Sequence, residues 1–99
     1  MERLTLEQIV FAVQGKCLNT VDTGNISITS VSTDSRNIQK DSLFIPLKGD
    51  HFNGHLFIQT AFEKGAAVAL TQEKGVPREN GVVVYVEDTK KALADLATY

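Results

Sequence analysis

Leu6, Ile9, Val10 and Val13 recur at i, i+3, i+4 and i+7, the spacing that gathers apolar side chains on one face of an α-helix. Thr5 precedes them with Gln8 three positions on, the pattern of a capping box. Gly15 is placed to end the helix in the left-handed conformation. A helix over about residues 5–14 is predicted. The period then changes. Ile26 and Ile28 alternate with Ser27 and Thr29, as in a half-buried strand, and Val31 breaks the alternation, so a bulge or strand end is expected near Ser30.

A polar turn, Thr33-Asp34-Ser35-Arg36, follows, in which Asp34 and Ser35 can satisfy nearby backbone donors without glycine. Lys40-Asp41 reads as a second turn. Residues 42–47 are apolar at consecutive positions, which predicts a strand covered on both faces. Pro46 cannot donate to a ladder, so its side of that strand must be free or bulged. Helical spacing returns at Phe57, Ile58, Ala61 and Phe62 and closes at Lys64-Gly65; Ala66 to Leu70 is a short apolar strand. Strand, helix and strand of these lengths form a βαβ unit with an expected right-handed crossover. Val21–Gly24 and Thr71–Gly81 read as loops, and Val82–Val86 as a strand. Asp88 or Thr89 caps a last helix with Ala92, Leu93, Leu96 and Ala97 on one face. The sum is an α/β domain: a mixed sheet of about four or five strands with helices packed against it. The helical pattern is still running at Tyr99 with no closing glycine or proline, as expected of a piece of a longer protein.

Composition narrows the class. Ninety-nine residues make one small domain. Ten Lys and Arg against twelve Asp and Glu give a net charge of −2, with the lysines scattered, which argues against nucleic-acid binding. Cys17 is the sole cysteine, so no intrachain disulfide can form. No apolar run reaches the roughly 20 residues of a membrane helix. The first residues lack a basic leader pattern, so a cytoplasmic domain is expected.

Candidate chemistry concentrates in two segments. Thr33–Arg36 and Lys48-Gly49-Asp50-His51-Phe52-Asn53-Gly54-His55 flank the apolar run Leu43–Leu47, and are expected at the two ends of that strand. Glycine at 49 and 54 lets backbone approach a ligand closely. Phe52 offers either a stacking face or a core anchor. Asp34 and Arg36 read as a functional pair or as a pair that pins the turn. His51 and His55 are four apart, but a loop separates them and no third ligand follows at a recognised spacing, so no metal site is expected. Cys17 has no neighbouring base and reads as a packing thiol. No G-x-x-x-x-G-K-[ST] loop occurs, so no nucleoside-triphosphate hydrolysis site is expected in this chain.

Val31-Ser32-Thr33-Asp34-Ser35-Arg36, Asp41-Ser42-Leu43-Phe44-Ile45-Pro46-Leu47-Lys48-Gly49, Phe52-Asn53-Gly54-His55, Ala61 and Gly65-Ala66, in this order, resemble the N-terminal domain of the Mur ligases. Within that family the resemblance is to the MurF type, which joins D-alanyl-D-alanine to UDP-N-acetylmuramoyl-tripeptide, more than to the sister MurE type. It covers residues 1–99 and implies the UDP-substrate-binding domain of a three-domain peptidoglycan-precursor ligase. ATP and magnesium would serve the absent central domain, so this chain alone would be inactive, with no cofactor and no catalytic residue of its own. The residues that the resemblance assigns to the UDP site are Ser35, Arg36, Gly49, Asp50, His51, Phe52 and Asn53. Two positions depart from the family pattern: Asn53 stands where aspartate is common, and Pro46 where a small residue is common. Two other readings remain open: an α/β interaction module without a nucleotide site, and a small self-contained enzyme, for which no nucleophile–base pair is visible.

Overall fold

A computed structural model describes residues 3–18, 26–47, 57–73 and 81–98. The elements in chain order are β1 (Leu4–Thr5), α1 (Leu6–Val13), β2 (Lys16–Cys17), β3 (Ser27–Ile28), β4 (Ser30–Ser32), a 3₁₀ turn (Ser35–Asn37), β5 (Ser42–Phe44), α2 (Ile58–Glu63), β6 (Ala66–Thr71), β7 (Val82–Tyr85) and α3 (Thr89–Ala97). The expected turn at Val21–Gly24, the segment Lys48–His55 and the Gly75-Val76-Pro77 loop lie outside the described residues.

The capping box of α1 forms as its sequence requires. Thr5 N donates to Gln8 Oε1 at 2.8 Å, and Gln8 N donates to Thr5 Oγ1 at 3.2 Å. The helix end differs from expectation by one residue. Gln14, not Gly15, takes the left-handed conformation, with φ 54° and ψ 42°. Gly15 N donates to Val10 O at 3.0 Å and Gln14 N to Phe11 O at 3.3 Å, the paired bonds of a Schellman ending. Glycine at 15 answers a different need. A Cβ there would lie 2.6 Å from Val84 Cγ1 and 2.9 Å from the Tyr85 carbonyl oxygen. The chain crosses directly against β7, and that approach lets Lys16–Cys17 pair antiparallel with Tyr85 and Val84.

The anticipated break in the Ile26–Val31 run is a change of sheet. β3 pairs antiparallel with β1, Leu4 opposite Ile28, in a two-stranded sheet. After a bend at Thr29, β4 joins the main sheet. That sheet has five strands in the order β2-β7-β6-β5-β4; β4 through β7 run parallel to their neighbours, and β2 alone is antiparallel. The mixed sheet expected from the sequence is therefore present, its antiparallel member being a two-residue strand too short to carry a periodic signal.

Consecutive apolar residues in β5, β6 and β7 serve two layers. Leu43, Ile45, Val68, Leu70, Val82 and Val84 join Leu6, Ile9 and Val13 of α1 and Ala92 and Leu96 of α3. Phe44, Ala69 and Val83 meet Ile58, Ala61 and Phe62 of α2 on the other face. Both faces being covered, the strands read as continuous hydrophobic runs. Pro46 is fully buried two residues beyond the end of β5, where the ladder asks no donor of it. Gly65, with φ 119°, turns the chain from α2 into β6; any other residue would be strained there. Asp88 caps α3, accepting from Lys90 N at 2.9 Å and Lys91 N at 3.3 Å.

Candidate functional site

Parallel pairing sets where polar residues can meet. Ser32 stands opposite Phe44, and Ile45 N donates to Ser32 O at 2.9 Å. The carboxyl ends of β4 and β5 thus lie side by side. Thr33–Arg36 leaves the end of β4, and Ile45–Leu47 leaves the end of β5 at the same edge. Thr33–Arg36 therefore lies beside the carboxyl end of β5, and not at its start as the sequence order suggested. The turn that precedes β5 is Lys40–Asp41, and Asp41 adopts φ 62°. The reason is that residues 37–41 run back along the sheet before β5 begins. In open α/β sheets, the crevice outside the carboxyl ends of the strands is where ligands bind.

The turn at this edge is built by short side chains. Ser32 Oγ donates to Asp34 O at 2.9 Å and accepts from Asp34 N at 3.1 Å. Asp34 Oδ1 accepts from Arg36 N at 2.9 Å, which starts the 3₁₀ turn. The same carboxylate holds the Arg36 side chain: Nε donates to Oδ1 at 3.1 Å and Nη2 to Oδ2 at 3.0 Å. The Arg36 side chain and backbone N–H hold the Asp34 carboxyl below its ordinary range, and Asp34 raises the Arg36 guanidinium. An exposed pair of this kind adds little to stability. Its effect is to fix the direction of the guanidinium, whose Nη1 takes no part in the pair and whose side chain is 84% exposed. The pair does pin the turn, one of its two expected roles, and it leaves a charged donor at the surface.

Thr33, Asp34, Ser35 and Arg36 line a groove of about 520 Å³ together with Phe57. Phe57 is the residue at which the described chain resumes after Leu47. Of the seven residues assigned to a site by sequence, Ser35 and Arg36 are brought together here. Gly49, Asp50, His51, Phe52 and Asn53 lie outside the described residues. Phe57 was missed as a site residue, because its place in the helical pattern assigned it to the core. Its 38% exposure, against 2% for Ile58, separates it from that pattern.

A second groove of about 540 Å³ lies at the other flank of the sheet, between Gln14–Lys16, Tyr85–Asp88 and the start of α3. Two of its carboxylates already have structural work: Asp88 caps α3, and Asp95 accepts from Lys91 at 3.3 Å. Among the described residues, no three His, Cys, Asp or Glu come together to hold a metal ion. Among them too, no helix is long and apolar enough to cross a membrane.

A five-stranded mixed sheet with helices on both faces and a polar turn at its carboxyl edge defines an α/β domain. Residues 27–99 match the family described as "Mur ligase family, catalytic domain", and the chain belongs to the Mur ligase family. Over 99 residues it is 40% identical to the UDP-N-acetylmuramoyl-tripeptide–D-alanyl-D-alanine ligase of Bacillus subtilis (strain 168), covering 98% of this chain and 21% of that protein. Over 73 residues it is 40% identical to the UDP-N-acetylmuramoyl-L-alanyl-D-glutamate–2,6-diaminopimelate ligase of Clostridioides difficile (strain 630), covering 74% of this chain and 15% of that one. The fold superimposes on a crystal structure of MurF from Acinetobacter baumannii with a TM-score of 0.87 and 28% identity, covering all of this chain and 21% of that one. The chain thus spans about a fifth of the length of the MurF-type proteins it matches.

Proposed function

We propose that this chain is the substrate-recognition domain of a MurF-type ligase, binding the UDP moiety of UDP-N-acetylmuramoyl-tripeptide while D-alanyl-D-alanine is joined elsewhere in the enzyme. The observation that carries this reading is the groove at the shared carboxyl edge of β4 and β5, where Ser35 and Arg36 stand beside Phe57. Uracil offers two carbonyl acceptors and one N–H donor, and the diphosphate offers anionic oxygens. A serine hydroxyl, turn backbone and a directed guanidinium match that set. Gly49, Asp50, His51, Phe52 and Asn53 complete the proposed site from the segment that begins just past Leu47.

In this reading ATP and magnesium serve the rest of the ligase. The sequence carries no phosphate-binding glycine loop, and no metal-ligand group forms among the described residues. Phosphoryl transfer and acyl activation are therefore assigned to the rest of the ligase, and this chain contributes binding and orientation. A polar site built to pair with one base rejects wrong bases more strongly than an apolar pocket does.

Isothermal titration of the ligase carrying this chain with UDP tests the reading. Saturable binding that weakens in Ser35→Ala and Gly49→Val supports it; no binding at millimolar UDP refutes it. The diaminopimelate-adding relative is as similar over its shorter match. Product formation with D-alanyl-D-alanine and not with diaminopimelate distinguishes the MurF type from the MurE type.

A further inference from the structure

The buried side of α3 is apolar at Ala92 and Leu96 and polar at Thr89, the residue that opens the helix. Thr89 is 1% exposed, so its N–H and its hydroxyl both need partners inside the protein. One atom serves both. The Gln72 carboxamide oxygen accepts from Thr89 N at 2.7 Å and from Thr89 Oγ1 at 2.9 Å. The Asp88 side chain serves the next two N–H groups, those of Lys90 and Lys91. The buried group in the first turn of α3 is thus held by directional bonds to a residue 17 positions earlier, and not by apolar packing.

Gln72 is itself aimed. It follows β6, whose last residue, Thr71, is fully buried. Thr71 Oγ1 donates to Glu73 O and accepts from Glu73 N, both at 2.9 Å, closing a turn around Gln72. Ser32 closes the turn at the end of β4 with the same pair of bonds to Asp34. Val86 N donates to Thr71 O at 2.8 Å, which ties the turn to the end of β7. The carboxyl ends of β6 and β7 and the start of α3 therefore form one hydrogen-bonded unit, with Gln72 as the link to the helix.

We infer that Gln72 is a positioning residue of the ligase: by holding Thr89 it fixes the direction in which α3 leaves the sheet, and with it the placement of the bound substrate relative to the part of the ligase that performs the chemistry. This rests on the UDP reading above, in which α3 leads on to the rest of the enzyme. Gln72 touches no substrate in this account. A misplacement of about 1 Å caused far from the chemistry can cost about 100-fold in rate. The acceptor that sets the helix direction therefore acts on turnover and not on UDP affinity.

The test compares the ligase carrying this chain with its Gln72→Leu, Gln72→Glu and Thr89→Val variants, at a temperature where circular dichroism shows them folded. Gln72→Leu removes the acceptor, so kcat with D-alanyl-D-alanine should fall about 10- to 100-fold while UDP affinity by titration stays within about twofold. Gln72→Glu keeps an oxygen for both donors and should hold kcat within about threefold of the wild type. Thr89→Val loses the hydroxyl bond, keeps the N–H bond and should fall between them. Unchanged kcat in folded Gln72→Leu overturns the inference and leaves the UDP reading standing. Loss of UDP affinity in step with kcat also overturns it, since Gln72 then supports the shape of the binding site. Where Gln72→Leu does not fold, Thr89→Val decides: a lower kcat at unchanged UDP affinity supports the inference, and an unchanged kcat overturns it. A wild-type ligase that does not bind UDP removes the UDP reading, and this inference with it.

Discussion

Gly15→Ala isolates a steric cost from a conformational one. The left-handed residue at the end of α1 is Gln14, so alanine at 15 meets a backbone that it can adopt, and the substitution is felt only through its Cβ. That atom would sit 2.6 Å from Val84 Cγ1, 2.9 Å from Tyr85 O and 3.1 Å from Val86 Cγ1. Two of these are methyl groups in the packed core, and the third is a backbone carbonyl of the strand that pairs with β2. None is the far end of a flexible side chain. Overpacking of this kind costs about 1–3 kcal/mol. Replacing glycine restricts the unfolded chain and returns about 0.4–1 kcal/mol. The net expectation is a loss of about 1–2 kcal/mol. For a domain of this size that lowers Tm by roughly 5–15 °C. Thermal unfolding of the 99-residue chain followed by circular dichroism measures it. Val84→Ala removes the nearest obstructing methyl group, so the double variant should lose less than the sum of the two single losses. The complementary change, Gln14→Gly, relieves the left-handed residue and should raise stability by up to about 1 kcal/mol. A Gly15→Ala chain that melts at or above the wild-type temperature would refute this account of the crossing.

Ser42 Oγ is buried with no hydrogen-bond partner, so Ser42→Ala should leave Tm unchanged or raise stability by up to about 2 kcal/mol; a drop of more than about 1 kcal/mol would show that the hydroxyl has a partner. Asp88→Ala leaves Lys90 N and Lys91 N without their acceptor and should cost about 1 kcal/mol in urea unfolding, whereas Asp88→Asn should cost less. Arg36 lowers the Asp34 carboxyl, so the contribution of this pair is complete above the ordinary value of 3.8 and is lost as pH falls from there through the lower folded value. A carboxyl-carbon NMR titration of Asp34 should give a midpoint below 3.8 that moves upward in Arg36→Gln; a midpoint indifferent to that change would contradict the pairing.

The parts of the fold legible in the sequence are those in which one physical signal acts alone. Thr5 and Gln8 announce the start of α1, Asp88 announces α3, and the Val82–Tyr85 run can only be a buried strand. Where two demands fall on adjacent residues, the sequence misleads. Gly15 looked like the left-handed residue, but the crossing against β7 claims it, and Gln14 takes the strained conformation in its place. Lys16–Cys17 and Leu4–Thr5 are too short to show a period, and only their partners make them strands. The Asp34–Arg36 turn was visible as a motif. Its neighbour across the sheet edge was not, because adjacency there follows from the parallel register of β4 and β5, a long-range property. Phe57 was hidden for a related reason: its spacing is helical, and only three-dimensional placement separates it from Ile58 and Phe62.

The pairing of β2 with β7, and the packing of α1 against α3, also bear on how the chain is made. During synthesis the segment through Cys17 leaves the ribosome before its partners, which run from Val82 through Ala97. A nascent chain halted before Val82 therefore carries Leu6, Ile9 and Val13 with much of their covering surface still untranslated. Chaperones are drawn to such exposed apolar surface. Completion of this domain accordingly waits for the arrival of β7 and α3.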